Sequence, residues 1–252
     1  MKEVKTAGIV LAAGQGKRME STTENKVTID LGGKPMILRT VELLRDVNIY
    51  PTVIVVGFQK DSVTNIFKDT NDVIFAEQTE RKGTAHAVET ALQDIPSNIT
   101  DVIILQGDDS FSYPKQTIED LIKEHRKNNS SFTFLTIDVE NPFGLGRIIR
   151  DENNNLEGIV EEKDATIEQR KINEINPACY VASVDFLKKY LSTIKPSIIT
   201  GEYYLTSLID LGLAKKEKIH AHKAGKIPWR GVNTKDELDE AIRLFSTINR
   251  KS

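Results

Sequence analysis

IVLAAGQGKRMESTTENK, residues 9–26, opens on an apolar run and breaks at once into Gly14, Gly16, Lys17 and Arg18, before a polar segment that ends at Lys26. The run reads as a buried strand and the break as a phosphate cradle. Glycines let the backbone approach an anion and present several N–H groups to it, and the cations that follow neutralise its charge. Two familiar nucleotide loops do not fit. The dinucleotide fingerprint needs a third glycine where Met19 stands, and the P-loop needs Gly-Lys followed by Ser or Thr where the chain has Gly16, Lys17, Arg18.

Outward from this stretch, strand and helix patterns alternate, which predicts an α/β protein with a mixed, mainly parallel sheet flanked by helices. Strands are expected over 52–56, 73–76, 102–105, 132–139, 143–147, 156–161, 175–182 and near Ile219. Helices are expected from Pro35, over 61–67, from Gly83 and Thr84, over 116–127, over 184–191, and from Tyr203 or Tyr204. A last helix, capped by Thr234 and Glu237, carries the stripe Leu238, Ile242, Phe245, Ile248. In open parallel sheets ligands sit beyond the carboxyl ends of the strands, so Gly14, Gln78, Gly83 and Asp108 are expected to meet in one crevice. We expect a single domain over 1–252, with a nucleotide half to about residue 110, a sugar half over 111–233 and the terminal helix over 234–249.

Composition narrows the function classes. The 34 basic and 37 acidic side chains leave a net charge of −3, so no global field favours nucleic acid or an anionic membrane. No apolar run approaches the roughly 20 residues of a membrane span, and MKEVKTAGIV lacks a secretory apolar region, so a cytoplasmic protein is expected. The single cysteine, Cys179, excludes an internal disulfide framework.

The opening stretch resembles the signature of the sugar-1-phosphate nucleotidyltransferases, LAAGxGTRM, a spacer and PKxL. Leu11, Ala12, Ala13, Gly14, Gly16, Arg18, Met19 and Lys26 stand in the matching places, with Lys17 for the usual threonine and Asn25 for the usual proline. Further on, AEQ with GTAHA, GLGRI, GIVEEKDAT, QRKINEIN, GEYYLT and GVN follow in order. This series resembles the uridylyltransferase half of bacterial bifunctional N-acetylglucosamine-1-phosphate uridylyltransferases, over about residues 6–245. The resemblance implies a Rossmann-like, GT-A-like nucleotide-diphospho-sugar transferase fold. It implies in-line transfer of a uridylyl group from UTP to N-acetylglucosamine 1-phosphate, with Mg2+ as cofactor. By the same resemblance Arg18 and Lys26 are catalytic, Leu11, Ala12, Ala13, Gly14, Gln78, Gly83 and Thr84 bind the nucleotide, and Asp108 and Asn233 hold the metal. Gly146, Glu161, Asn176, Tyr204 and Thr206 fall to the sugar.

The chemistry suits these residue types. The reaction brings two anions together, each pair of unit charges near 4 Å repelling by roughly 4 kcal/mol at an effective dielectric of 20, so neutralisation dominates the design. An amide side chain can read the imide edge of uracil with a donor and an acceptor.

Plainer readings stand beside these. Gln78 alone is a polar strand end, Glu161 in its EEKD cluster a solvated face, and Asn233 a helix-start residue. His220 and His222 share a strand face without a third ligand, His86 and Cys179 read as structural, and Asp109 is ambiguous. Departures at Asp109, Ser110, Pro177 and Ala178 leave another sugar 1-phosphate, or dTTP, as an alternative, and a nucleotide-sugar sensor as a reading from another class. The bifunctional relatives continue into a β-helix that transfers acetyl groups and forms trimers. The chain stops at Ser252, so uridylyl transfer without acetyl transfer or β-helix-mediated trimers is expected.

Overall fold

The structure, a computed structural model, describes residues 5–16, 24–162, 164–232 and 234–249; Arg18 and Asn233 therefore lie outside the described residues. The first half of the chain forms β1 (Thr6–Ala12), α1 (Met36–Asp46), β2 (Thr52–Val56), α2 (Lys60–Thr64), β3 (Val73–Glu77), α3 (Thr84–Ala91), β4 (Asp101–Gln106) and α4 (Lys115–Lys127). The second half forms β5 (Phe132–Asp138), β6 (Arg147–Arg150), β7 (Leu156–Val160), β8 (Glu174–Ile175), β9 (Tyr180–Ser183), α5 (Val184–Tyr190), α6 (Ser207–Ala214), β10 (Ile219–Lys223) and α7 (Lys235–Asn249).

These strands build one sheet in the order β3-β2-β1-β4-β9-β5-β8-β6-β7, with β10 also alongside β5. β1 to β4 are mutually parallel, and β10 is parallel to β5. The other pairings are antiparallel, so the parallel character predicted for the sheet is concentrated in the first half. All seven residues of β1 are buried, as a central strand covered on both faces requires. Successive side chains point to opposite faces. Ile9 and Leu11 therefore join a core with Val88 of α3, Phe186 of α5 and Leu208 of α6, whereas Val10 and Ala12 join one with Val41 of α1 and Leu121 of α4. Because β1, β2, β3 and β4 run the same way, their carboxyl ends open on one side of the sheet.

Four local expectations need correction. Residues 143–146 form no strand: Asn141 Oδ1 accepts the Phe143 N–H, Leu145 N–H donates to Pro142 O, and Gly144 has φ of +79°, so a turn precedes β6. The expected strand over 175–182 is interrupted. Pro177 has no N–H for a ladder and Ala178 has φ of +58°, so β8 pairs with β5 and β6 while β9 pairs with β4 and β5. α6 begins at Ser207, because the backbone of 203–205 is bonded to the start of α3 instead. On α7 the predicted capping box forms, with Thr234 N–H donating to Glu237 Oε2 at 3.0 Å and Glu237 N–H to Thr234 Oγ1 at 3.2 Å. Its buried face, however, is centred on Ala241 between Leu238 and Phe245, with Ile242 40% exposed; the side chain of Ile248 lies outside the described set.

Candidate functional site

The carboxyl ends of β1, β3 and β4 enclose a crevice of about 630 Å³ whose walls include Leu11, Ala12, Ala13, Gly14, Lys26, Gln78, Gly83, Thr84 and Asp108. The predicted convergence of Gly14, Gln78, Gly83 and Asp108 is thus found. The loop after β1 is held from below. Asn25, 1% exposed, donates from Nδ2 to Ala12 O and Phe58 O, both at 2.8 Å, and to Gly14 O at 3.4 Å. With the carbonyls so engaged, no protein acceptor among the described residues takes the backbone N–H of Gly14, Gln15 or Gly16. A Cβ added to Gly14 would meet nothing within 4 Å, so the loop faces open space there. Unspent amide donors beside a cavity are the chemistry of an anion cradle.

Lys26 rises from the floor of this loop. Its Nζ forms an ion pair with the Asp108 carboxylate and donates to Val232 O at 2.5 Å, both side chains of the pair being largely buried. A residue 206 positions away in sequence is thereby drawn to the end of β4. Gly107 makes that approach feasible, since a Cβ there would lie 3.1 Å from Val27 Cγ1 and 3.2 Å from Leu11 O. Asp109, the ambiguous neighbour, is buried with its carboxyl turned toward Ser110 and takes no part in the crevice wall. Burial holds its pKa well above the usual carboxylate range, and the charge of Asp108 adds to this. The Tyr113 hydroxyl donates to Pro177 O at 2.8 Å and ties the metal-candidate loop to the segment that follows β8.

At the end of β3, Gln78 is buried, its Nε2 donating to Gly83 O at 3.1 Å and lying 2.9 Å from His86 Nδ1. His86 thus orients the amide, and Gln78 Oε1 accepts from no protein donor among the described residues. Gly83 must be glycine. It has φ of +107°, and a Cβ would lie 2.5 Å from Tyr203 O and 2.8 Å from Tyr203 N. The Tyr203 N–H donates to Lys82 O, the Ala85 N–H to Tyr203 O, and the Leu205 N–H to Thr84 Oγ1 at 2.9 Å. The segment that carries Tyr204 and Thr206 is in this way laid across the start of α3.

Gly146, Glu161 and Asn176 form a second group. The Asn176 N–H donates to Gly146 O at 3.3 Å, and Glu161 Oε1 lies 3.6 Å from where a Cβ of Gly146 would be. Asn176 Nδ2 donates to the Tyr180 hydroxyl at 2.9 Å, and Asn176 Oδ1 accepts the Ala178 N–H. Glu161 is exposed, yet the surrounding protein still pushes its carboxyl pKa upward, with Asp164 adding to the shift. No hydrogen bond among the described residues joins Tyr204 or Thr206 to this group; the Tyr204 hydroxyl is bonded to Thr200 Oγ1 at 2.7 Å. None of these five residues lines the crevice that Gly14 and Asp108 share.

Sequence reasoning missed Asn25 as the stay of the loop, although it had marked the position as unusual. It also missed Arg81 and Glu202, which line the crevice. The signal for Arg81 was there: a basic pair, Arg81 and Lys82, immediately before the helix-opening Gly83. Other candidates stay apart from the site. Burial pushes the Cys179 thiol well up, which suits an inert core residue. No group of three His, Cys, Asp or Glu side chains among the described residues is disposed to hold a metal, His220 and His222 included. No helix among the described residues is long and apolar enough to cross a membrane.

The model of the MobA-like NTP transferase domain matches residues 8–189 of the chain. The bifunctional protein GlmU of Geotalea daltonii is 37% identical over 242 residues, which are 96% of this chain and 52% of that protein. Its namesake in Geobacter metallireducens is 39% identical over 247 residues, 97% of this chain and 52% of that protein. That of Desulfotalea psychrophila is 36% identical and is covered over 72% of its length. The chain spans about half the length of the first two relatives. A Bacillus anthracis protein designated a glucose-1-phosphate thymidylyltransferase, whose 2.76 Å crystal structure contains a sucrose, shares the fold. It superposes with a TM-score of 0.81 over 95% of each chain at 20% identity. The matched residues 8–189 take in the strand and loop of the anion cradle, Lys26, Asp108 and all but one strand of the sheet, and the chain belongs to the MobA-like NTP transferase family, among the sugar-phosphate nucleotidyltransferases.

Proposed function

We propose that the protein transfers a uridylyl group from UTP to N-acetylglucosamine 1-phosphate, giving UDP-N-acetylglucosamine and pyrophosphate. The observation that carries this reading is the meeting of the unspent amides of residues 14–16 with the Lys26 and Asp108 pair in the crevice that Gln78 and Gly83 also line. The names of the bifunctional relatives support it. In this reading residues to about 110 receive the nucleotide and residues 111–233 the sugar. The triphosphate lies along the 14–16 loop, Gln78 Oε1 accepts the imide N–H of uracil, and Gly146, Glu161 and Asn176 bind the hydroxyl and acetamido groups. An oxygen of the sugar phosphate attacks the α-phosphorus in line, the new P–O bond forms as the bond to the β-phosphate breaks, and pyrophosphate leaves with that electron pair. Lys26 and Arg18 stabilise the charge that develops.

A magnesium ion fits this donor set. Such an ion takes one or two protein oxygens and keeps phosphate oxygens and waters for the rest, and the Asp108 carboxylate on the crevice wall offers the first. Asn233 is assigned the second position by resemblance, and the carbonyl of its neighbour Val232 lies on Lys26 in the same place. When bound, the ion would neutralise charge at the reacting phosphate.

The test is pyrophosphate release over a panel of nucleoside triphosphates and sugar 1-phosphates. UTP with N-acetylglucosamine 1-phosphate should lead, and Asp108→Ala should lower its rate at least about 100-fold. A tenfold advantage for a glucose or thymidylyl combination would replace the named substrates, and tight binding without any release would mark a sensor.

A further inference from the structure

We infer that Arg81 is a ligand of the nucleotide phosphates and that its hydrogen bond to Gln15 is a strap between two lining loops which exchanges for the triphosphate. The inference rests on the functional reading above. Among the described residues, the charged side chains that line the crevice are Lys26, Arg81, Asp108 and Glu202. Lys26 is already matched by Asp108, so these four leave no surplus positive charge for a ligand that carries several negative ones. Arg81 is the cation of this set left for a ligand to engage. It forms no ion pair among the described residues, and its Nη1 donates to a neutral acceptor, Gln15 Oε1, at 2.9 Å.

The placement of the bond gives it a function. Gln15 stands between Gly14 and Gly16 in the loop whose amides are unspent, and Arg81 stands between Gln78 and Gly83 in the loop after β3. The guanidinium therefore reaches from one lining loop to the loop proposed to hold phosphate. Its carbon lies 6.0 Å from the centre of the Phe58 ring, a second contact on the same wall as Asn25. A guanidinium has five N–H donors and needs only one for Gln15. A phosphate adds a full negative charge on the acceptor and can take two parallel N–H bonds from the guanidinium, where the Gln15 amide oxygen takes one, so an arriving triphosphate displaces Gln15 and keeps Arg81. Arg81 is exposed, and its removal should leave the fold intact.

The experiment is steady-state pyrophosphate release by the wild type, Arg81→Gln, Arg81→Lys and Gln15→Ala, with each substrate varied in turn. Arg81→Gln should raise the UTP KM about tenfold with the sugar phosphate KM within about twofold, because uniform binding of one substrate has been removed. Arg81→Lys should recover part of the loss, and Gln15→Ala, which frees Arg81, should lower the UTP KM. A UTP KM within about twofold of wild type in Arg81→Gln, or an equal rise in Gln15→Ala, would overturn the inference. If the wild type releases no pyrophosphate, the functional reading fails by itself, and calorimetric titration of UTP into wild type and Arg81→Gln still decides for or against Arg81. A wild type that binds no UTP overturns both.

Discussion

Replacing Arg147 by methionine should loosen the second half of the molecule from within. Arg147 is 1% exposed and is the largest of the fully buried side chains. Its Nη2 donates to Glu162 Oε2 at 2.6 Å and to Arg170 O at 3.4 Å, and its Nη1 donates to Leu145 O, while Nε has no partner among the described residues. The same Glu162 oxygen accepts the Gly144 N–H, so one ion pair gathers the 142–146 turn and the 161–170 loop beside Gly146 and Glu161. Removing one member of a buried pair typically costs 3–5 kcal/mol, because the other charge is left buried without compensation. Glu162 keeps 19% side-chain exposure and can turn partly to water, which places the expected loss near the lower end, about 3 kcal/mol. For a chain of this length that corresponds to a fall in Tm of about 6–12 °C, read by calorimetry or circular dichroism. In an activity assay the KM for the sugar phosphate should rise while that for UTP stays near wild type. Arg147→Lys, which keeps the charge but loses the fork, should lie between. A Tm within about 2 °C of wild type would refute the reasoning.

Three further outcomes are expected. Ala178 sits at φ of +58°, where an L-residue costs about 1–2 kcal/mol, so Ala178→Gly should raise stability by about 0.5–1 kcal/mol after the greater unfolded entropy of glycine is counted; a lower Tm would contradict this. Gly83→Ala drives a methyl group into the Tyr203 backbone and should raise the UTP KM at least about tenfold, measured at saturating sugar phosphate. His125 is buried against Thr133, and burial, with Arg126 and His220 adding, lowers its pKa from 6.5 to about 4. The folded state therefore favours the neutral ring, stability is full above pH 6.5 and is lost as pH falls toward 4, by up to about 3 kcal/mol. Denaturant titrations of His125→Gln should show a flatter profile across that window, and an unchanged slope would count against the assignment.

Much of the crevice could be read along the chain, because its parts are local signals. A buried strand that breaks into glycines, a glycine that opens a helix, and a carboxylate after an apolar strand each declare themselves within a few residues. Once β1 to β4 were expected to be parallel, their carboxyl ends had to open together, and Gly14, Gln78, Gly83 and Asp108 followed. The second half was less legible. Glu161 in an acidic run looks like surface whether or not it stands beside Gly146, and the strand expected over 175–182 hid an interruption at Pro177 and Ala178 that sends its two ends to different neighbours.

The sequence by itself determined the alternation of strands and helices, the phosphate-approachable loop, the capping box at Thr234 and the resemblance that named the chemistry, since each depends on residue order and periodicity. Only the tertiary structure decided that Lys26 answers Asp108 and Val232, that Asn25 holds the carbonyls of the loop, that His86 aims Gln78, and that Arg81 reaches Gln15. Those contacts join residues far apart in the chain or on separate loops, and their strength depends on distance and burial, which no local pattern of residues encodes.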